Sequence, residues 1–311
     1  MEERPLGATG ITVSRLILGC GNFGGIGSSP EFFGQGESEE EAFAVMDAAW
    51  DVGITTFDTA DAYGGGRSET AIGNWIAARG VRPKLTTKTF NPMEVGGDQG
   101  LAPARIRRQL ASSLARLGVD RVELFLTHAP DPEVPLEDTL GALEELRAEG
   151  LIGAFGGSNL DGAILEAAAG RYDWVQNSYS LLEREAEAEV LPLCRAQGLG
   201  FTPFSPLAGG WLTGKYRRGA ALPEGSRMTL RPGPYEHLRT DAVFDGLEAL
   251  ERAAAARGVD CATLAFAWLL SSPDVTAVVV GPRRPAHLEP ALRALELELS
   301  EADRAALAAL L

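Results

Sequence analysis

From Leu16 to Gly281 the chain alternates short apolar, β-branched runs with longer segments of helical period, and this repetition limits its fold more than any other feature. The extended runs are 16–20, 54–58, 83–88, 121–127, 152–156, 173–177, 199–204 and 275–281. Helical patterns fill most of the gaps: from Ser38 to near Gly53, 67–79, 102–117, 135–149, a short piece from about 160, 184–197, and a pair at 241–257 and 260–271 before the last strand. Strand-then-helix order predicts a parallel sheet with helices outside it. Eight strands is the number that closes a (β/α)8 TIM barrel. Two extended pieces around Gly7-Ala-Thr-Gly10 predict a short N-terminal β-hairpin, and extra helices are expected at the C-terminal end. An open doubly wound sheet is the rival. Gly19, Gly21 and Gly24 come close to its dinucleotide fingerprint but lead into a long loop instead of a helix. No linker or composition shift divides residues 1–311, so a single barrel domain is expected. Pro203 lacks an N–H and is expected to disturb the seventh strand.

Charge and composition narrow the function. A net charge of -15 over 311 residues disfavours a general nucleic-acid surface, which needs clustered Lys and Arg. Any phosphate-bearing ligand must then be met by a few cations and backbone N–H groups. No apolar run is long enough to span a bilayer, and the charged opening Met1-Glu-Glu-Arg-Pro lacks a signal-peptide pattern, which predicts a cytoplasmic protein away from membranes. Cys20, Cys194 and Cys261 are odd in number and far apart, and the three histidines are scattered, so no disulfide framework or metal cluster is expected.

A TIM barrel collects its catalytic side chains at the C-terminal ends of its strands. Read in order, that mouth receives Asp58, Tyr63, Lys88 and His128. Together they form a proton-transfer set. A tyrosine hydroxyl near pKa ~10 is a weak acid, and a neighbouring ammonium lowers it. Lys88 supplies that charge and Asp58 keeps it, while His128 is placed to bond a carbonyl or relay a proton. Read alone, Asp58 also suits a helix cap and Tyr63 a satisfied core position. Glycine-rich residues 21–36, with Phe23, Phe32 and Phe33, read either as an apolar lid or as a plain surface loop; Phe90 and Trp211 are further candidates for an apolar pocket.

The segments FDTADAYG (57–64), TTK (86–88), LFLTHAPDP (124–132), GGSNL (156–160), VQNSYSLLERE (175–185) and FSPLAGGWLTGKY (204–216) follow one another in an order that resembles the aldo-keto reductases along nearly the whole chain. The resemblance implies a barrel that binds NADPH/NADP+ without a Rossmann fingerprint and reduces a small-molecule carbonyl, with Tyr63 as general acid, Lys88 and Asp58 tuning it and His128 orienting the carbonyl. It implies that Ser158, Asn159 and Gln176 bind the nicotinamide carboxamide. Phe204, where the family usually has tyrosine, would stack on the ring. It further places Ser205, Leu207, Gly209 and Lys215 over the pyrophosphate, and Gly281, Arg283 and Arg284 at an adenosine 2′-phosphate. Pro290 and Ala291 stand where the family commonly has a Glu-Asn pair near the adenine. Two other classes stay open: a cofactor-binding regulatory module resembling potassium-channel β subunits, and a barrel aldolase using Lys88 as a Schiff-base amine. Oligomeric state is not readable from the sequence.

Overall fold

The computed structural model describes all residues, Met1–Leu311. Its first element is the hairpin of β1 (Glu3–Pro5) and β2 (Thr12–Ser14), antiparallel with Arg4 opposite Val13. The main sheet contains β3 (Leu16–Gly19), β4 (Thr56–Asp58), β5 (Lys84–Thr89), β6 (Val122–Thr127), β7 (Ile152–Ser158), β8 (Trp174–Gln176), β9 (Gly200–Phe201) and β10 (Val278–Val280). All are parallel, in the order β10-β3-β4-β5-β6-β7-β8-β9. The eight-stranded (β/α)8 expectation holds, with the hairpin in place.

The ring closes unevenly. Between β9 and β10 there is no ladder; Thr276 N–H donates to Phe201 O at 2.8 Å, Val279 N–H to Pro203 O at 3.0 Å and Phe201 N–H to Thr276 Oγ1 at 3.2 Å. The expected strand 199–204 is cut to Gly200–Phe201 because Pro203 offers an acceptor and no donor; beyond it the chain keeps an isolated bridge between Phe204 and Ser178. The eighth strand is likewise shorter than its apolar run.

Helices surround the sheet: α1 (Glu39–Asp51), α2 (Arg67–Arg79), α3 (Pro103–Leu117), α4 (Leu136–Ala148), α5 (Gly162–Ala167), α6 (Val190–Gln197), α7 (Arg227–Leu230), α8 (Asp241–Ala256), α9 (Cys261–Leu270), α10 (Glu289–Ala294) and α11 (Glu301–Ala308). The acid-rich start of α1 is a capping box: Ser38 Oγ accepts from Glu41 N–H, and the Glu41 carboxylate accepts from Ser38 N–H at 2.9 Å. No single helix is long and apolar enough to cross a membrane.

Two apolar layers follow from strand alternation. Ile17, Leu124, Leu126, Ala154, Trp174 and Val279 fill the barrel interior. Leu6 and Val13 from the hairpin join them, both fully buried, and stopper the N-terminal end. The outer layer lies between strands and helices. Phe23 and Trp211 belong to it, and Trp211 also lines a cleft with Tyr216, Leu222 and Phe244.

Candidate active site

The C-terminal strand ends bring together the four residues the sequence pointed to. Asp58 ends β4, Lys88 lies one residue before the end of β5, His128 follows β6, and Tyr63 opens a 3-10 turn (Tyr63–Gly66) on the loop after β4. Lys88 is 1% exposed and Asp58 2%. Their side chains form a direct ion pair. Lys88 Nζ also donates to Thr59 O at 2.9 Å and lies 3.4 Å from the Tyr63 hydroxyl. The Tyr63 ring meets the His128 imidazole edge-on, centroids 5.4 Å apart. Backbone bonds fix the scaffold: Asp61 N–H donates to Lys88 O at 3.0 Å and His128 N–H to Thr89 O at 2.9 Å.

Burial dominates the electrostatics. It works against the Lys88 ammonium, but Asp58 and then Tyr63 more than offset it, so the lysine stays charged. For Tyr63 the sequence expectation needs correcting. Lys88 does pull its pKa down, yet burial is stronger and the net shift is upward, which keeps the hydroxyl protonated. Burial, helped by Lys88, lowers His128 to about 3, so its imidazole is neutral at physiological pH. Its Nδ1 is buried and has no partner.

A second polar layer lies behind this group. Asp61 is fully buried; its Oδ2 accepts from Thr89 Oγ1 at 2.7 Å, and Arg105 Nη1 donates to the same Thr89 oxygen at 3.0 Å. Burial and then nearby Glu69 raise Asp61 to about 7. Cys20, also fully buried, is pushed well up by burial and the Asp58 charge, which makes it an inert thiol.

The residues expected to hold a dinucleotide line the opposite arc. Ser158 and Gln176 are register partners on β7 and β8. Gln176 already has one task, because its Nε2 donates to Asp58 Oδ2 at 2.8 Å, which leaves the second amide N–H and the amide oxygen for a ligand. Asn159 adopts a left-handed φ of 58° and its Nδ2 donates to His128 O at 2.9 Å, tying the two arcs together. Ser205 and Ala208 are also left-handed, with φ of 54° and 45°. Strained non-glycine backbone of this kind collects at binding sites. Phe204 is partly exposed at the mouth, as stacking requires. Leu207 precedes a 3-10 turn (Ala208–Thr213), and its carbonyl accepts from Gly210 N–H at 2.8 Å. Gly209 has to be glycine, since a Cβ there would lie 2.6 Å from the Tyr235 ring, whose hydroxyl is 2.8 Å from Ser205 Oγ.

A basic cluster completes this arc. Lys215 lies over the Tyr216 ring at 5.1 Å, while Gly281 and Arg284 are exposed after β10. Burial, then Arg284, Lys215 and Arg283, lower the His287 pKa, which records how closely these charges gather. The sequence reading missed two members. Arg227 donates to Asn22 Oδ1 at 2.9 Å, and Arg231 to Ile26 O at 3.0 Å and Ser29 Oγ at 2.7 Å. All these acceptors are neutral. The missed signal was local: Lys215, Arg217, Arg218, Arg227, Arg231 and Arg239 face only Glu224 and Glu236 within 215–239 of a strongly acidic chain. The sequence reading places no helix or strand in that stretch. It holds α7 and strapping turns on either side of it.

Residues 21–36 are neither loose nor simply apolar. Gly27 N–H donates to Gly21 O and Gly34 N–H to Gly24 O, both at 2.7 Å. Gly25 packs against the Tyr63 turn so closely that a Cβ would lie 2.6 Å from Gly64 Cα. Arg283 is a further bridge between loops. It spans to Glu37 Oε1 at 2.5 Å and Gly225 O at 2.9 Å.

Comparison with known proteins gives this arrangement a context. The model of the aldo/keto reductase family matches residues 15–311. An uncharacterized oxidoreductase of Bacillus subtilis, YrpG, is 37% identical, over 97% of this chain and 93% of its own length. The NADH-specific methylglyoxal reductase of Escherichia coli is 33% identical, over 97% and 96%. A protein of rice named as a probable voltage-gated potassium channel β subunit is 33% identical, over 96% and 92%.

Proposed function

The chain belongs to the aldo/keto reductase family, and from that premise we propose that it is an NADPH-dependent oxidoreductase that reduces an aldehyde or ketone to an alcohol. The observation that carries the reading is the Tyr63 hydroxyl lying 3.4 Å from an ammonium that Asp58 holds charged. When bound, the cofactor supplies the hydride to the carbonyl carbon. Tyr63 gives its proton to the carbonyl oxygen as negative charge develops there, and takes it back in alcohol oxidation. Lys88 stabilises the phenolate this leaves. Neutral His128 offers an N–H to the same oxygen, orienting the carbonyl against the tyrosine.

The residues present suit a dinucleotide. Arg227 and Arg231 spend their donors on neutral acceptors in a chain of net charge -15, so their charge remains for phosphates. Lys215 and Ser205 on the strapping loop bind the pyrophosphate in this reading, Ser158, Asn159 and the free amide oxygen of Gln176 take the carboxamide, and Phe204 stacks on the ring. Arg283 and Arg284, beside the Gly281 turn, meet the 2′-phosphate. An aldolase is disfavoured, because a charged, buried Lys88 has no lone pair for Schiff-base formation.

The rice relative favours one second reading, a regulatory module that binds the same cofactor and turns over little. Fluorescence titration with NADPH and NADH, followed by NADPH consumption over a panel of aldehydes and ketones that includes methylglyoxal, separates the two. Binding with turnover supports the reductase. Binding without turnover on any carbonyl selects the module, and no binding removes both.

A further inference from the structure

Glu37 is the one acid built into the basic arc. Its backbone is fixed on both sides, its N–H donating to Asn22 O at 2.8 Å and its carbonyl accepting from Gly24 N–H at 2.9 Å, so the side chain projects from a rigid bridge to Phe23. The residue is 4% exposed. One carboxylate oxygen accepts from Arg283 Nε; the other, Oε2, is buried without a partner. A buried acceptor with no donor is destabilising, and a fold that keeps one at a binding site has a use for it there. Arg283 meanwhile has Nε committed to Glu37 and Nη1 to Gly225 O.

We infer that Glu37 is a specificity-determining residue of the cofactor site: its carboxylate offsets the charge of Arg283 and stands beside the place of a 2′-phosphate, holding the preference for NADPH over NADH below what the arginines alone would set. This rests on the assignment of Arg283 and Arg284 under Proposed function. Like charges brought together out of water are costly, so the dianionic 2′-phosphate suffers from Glu37 while the ribose hydroxyl of NADH does not. The carboxylate also has an exit. The charged groups facing it are Arg283 from the loop after β10, Arg227 from α7 and Glu41 on α1. Burial is the largest influence and lifts the Glu37 pKa, Arg283 opposes it, and Glu41 adds to it. NADPH binding therefore draws a proton onto Glu37, and NADH binding does not.

Glu37→Gln keeps the shape and an acceptor for Arg283 Nε and removes the charge. In fluorescence titrations at about pH 8, the variant is expected to bind NADPH about tenfold more tightly than wild type, with NADH changed by less than about twofold. On lowering the pH, the wild-type NADPH-to-NADH affinity ratio should approach that of the variant, because burial favours the neutral form of the wild-type carboxylate. The second ionisation of the phosphate, near ~6, is coupled to Glu37 in wild type alone, so the difference between the two proteins reports the carboxylate–phosphate repulsion. In an Arg283→Ala background the substitution should lose most of its effect on the ratio. If both nucleotides bind wild type and Glu37→Gln leaves the ratio unchanged at every pH, the inference is overturned and the cofactor reading stands. Equal weakening of both nucleotides would make Glu37 a structural support and overturn it too. If wild type binds neither nucleotide, the cofactor reading fails and the inference goes with it.

Discussion

The two arcs of the barrel mouth are built in different ways. The arc that carries Asp58, Tyr63, Lys88 and His128 hangs on β4, β5 and β6, of three, six and six residues in continuous parallel register, and its central ion pair is almost fully buried. The arc proposed for the cofactor hangs on the end of β7 and on β8, β9 and β10, the last three of only three, two and three residues, and side chains do there what ladders do opposite: Arg227, Arg231 and Arg283 each bind one loop to another. Regular sheet suits a group of side chains whose spacing must hold to fractions of an ångström. Loop-to-loop bridges suit a surface that has to admit a long ligand and then grip it.

The sharpest way to break this contrast is Tyr63→Phe. The phenyl ring keeps its place against His128 and loses the proton, so turnover should fall by about 10²–10⁴-fold, while NADPH titration changes little. Near-normal turnover would take the acid role away from Tyr63. Next comes Lys88→Met, which strands the Asp58 charge in the barrel with a single amide donor from Gln176. Denaturant unfolding should record a loss of about 3–5 kcal/mol, and the double variant with Asp58→Asn should recover much of it. Asp61 gives a smaller effect with a definite sign. Its folded pKa of about 7 exceeds its unfolded value, so the stability tied to its protonated form is complete below about 4 and disappears as pH rises through 7. Asp61→Asn should flatten that decline and be the more stable protein at about pH 8, as read by urea titrations across the range. Arg231→Ala is expected to be the mildest. Cofactor affinity should drop by about tenfold with stability held within about 1 kcal/mol, and a stability loss as large as that of Lys88→Met would erase the distinction between the arcs.

The same division decides what the sequence revealed. Asp58, Lys88 and His128 were legible because each sits at or next to the C-terminal end of a β-branched or apolar run, and in a parallel barrel all those ends face one mouth. Pro203 likewise announced the broken strand. Glu37, Arg227 and Arg231 carried no such mark. Arg231 meets Ile26 and Ser29 about two hundred residues away in the chain, across loops whose path is set by left-handed glycines and by tertiary hydrogen bonds, not by a local period. The net direction of the Tyr63 shift was hidden for a related reason. Sequence shows which charges come near, but the burial that outweighs them belongs to the folded protein.

The join between β9 and β10 also bears on how the barrel holds together. Two backbone hydrogen bonds bridge it, and Phe201 N–H adds a third to the Thr276 side chain, while Arg15 anchors the β10 side alone by donating to Val275 O and Thr276 O at 2.5 Å each. Phe204 and Ser205 follow on one side of that seam and Gly281 to Arg284 on the other. A dinucleotide held by both would act as a clasp across the seam at the mouth. The amides of Thr276 and Val279 should then exchange with solvent earliest in the sheet, and slow most when the nucleotide is added.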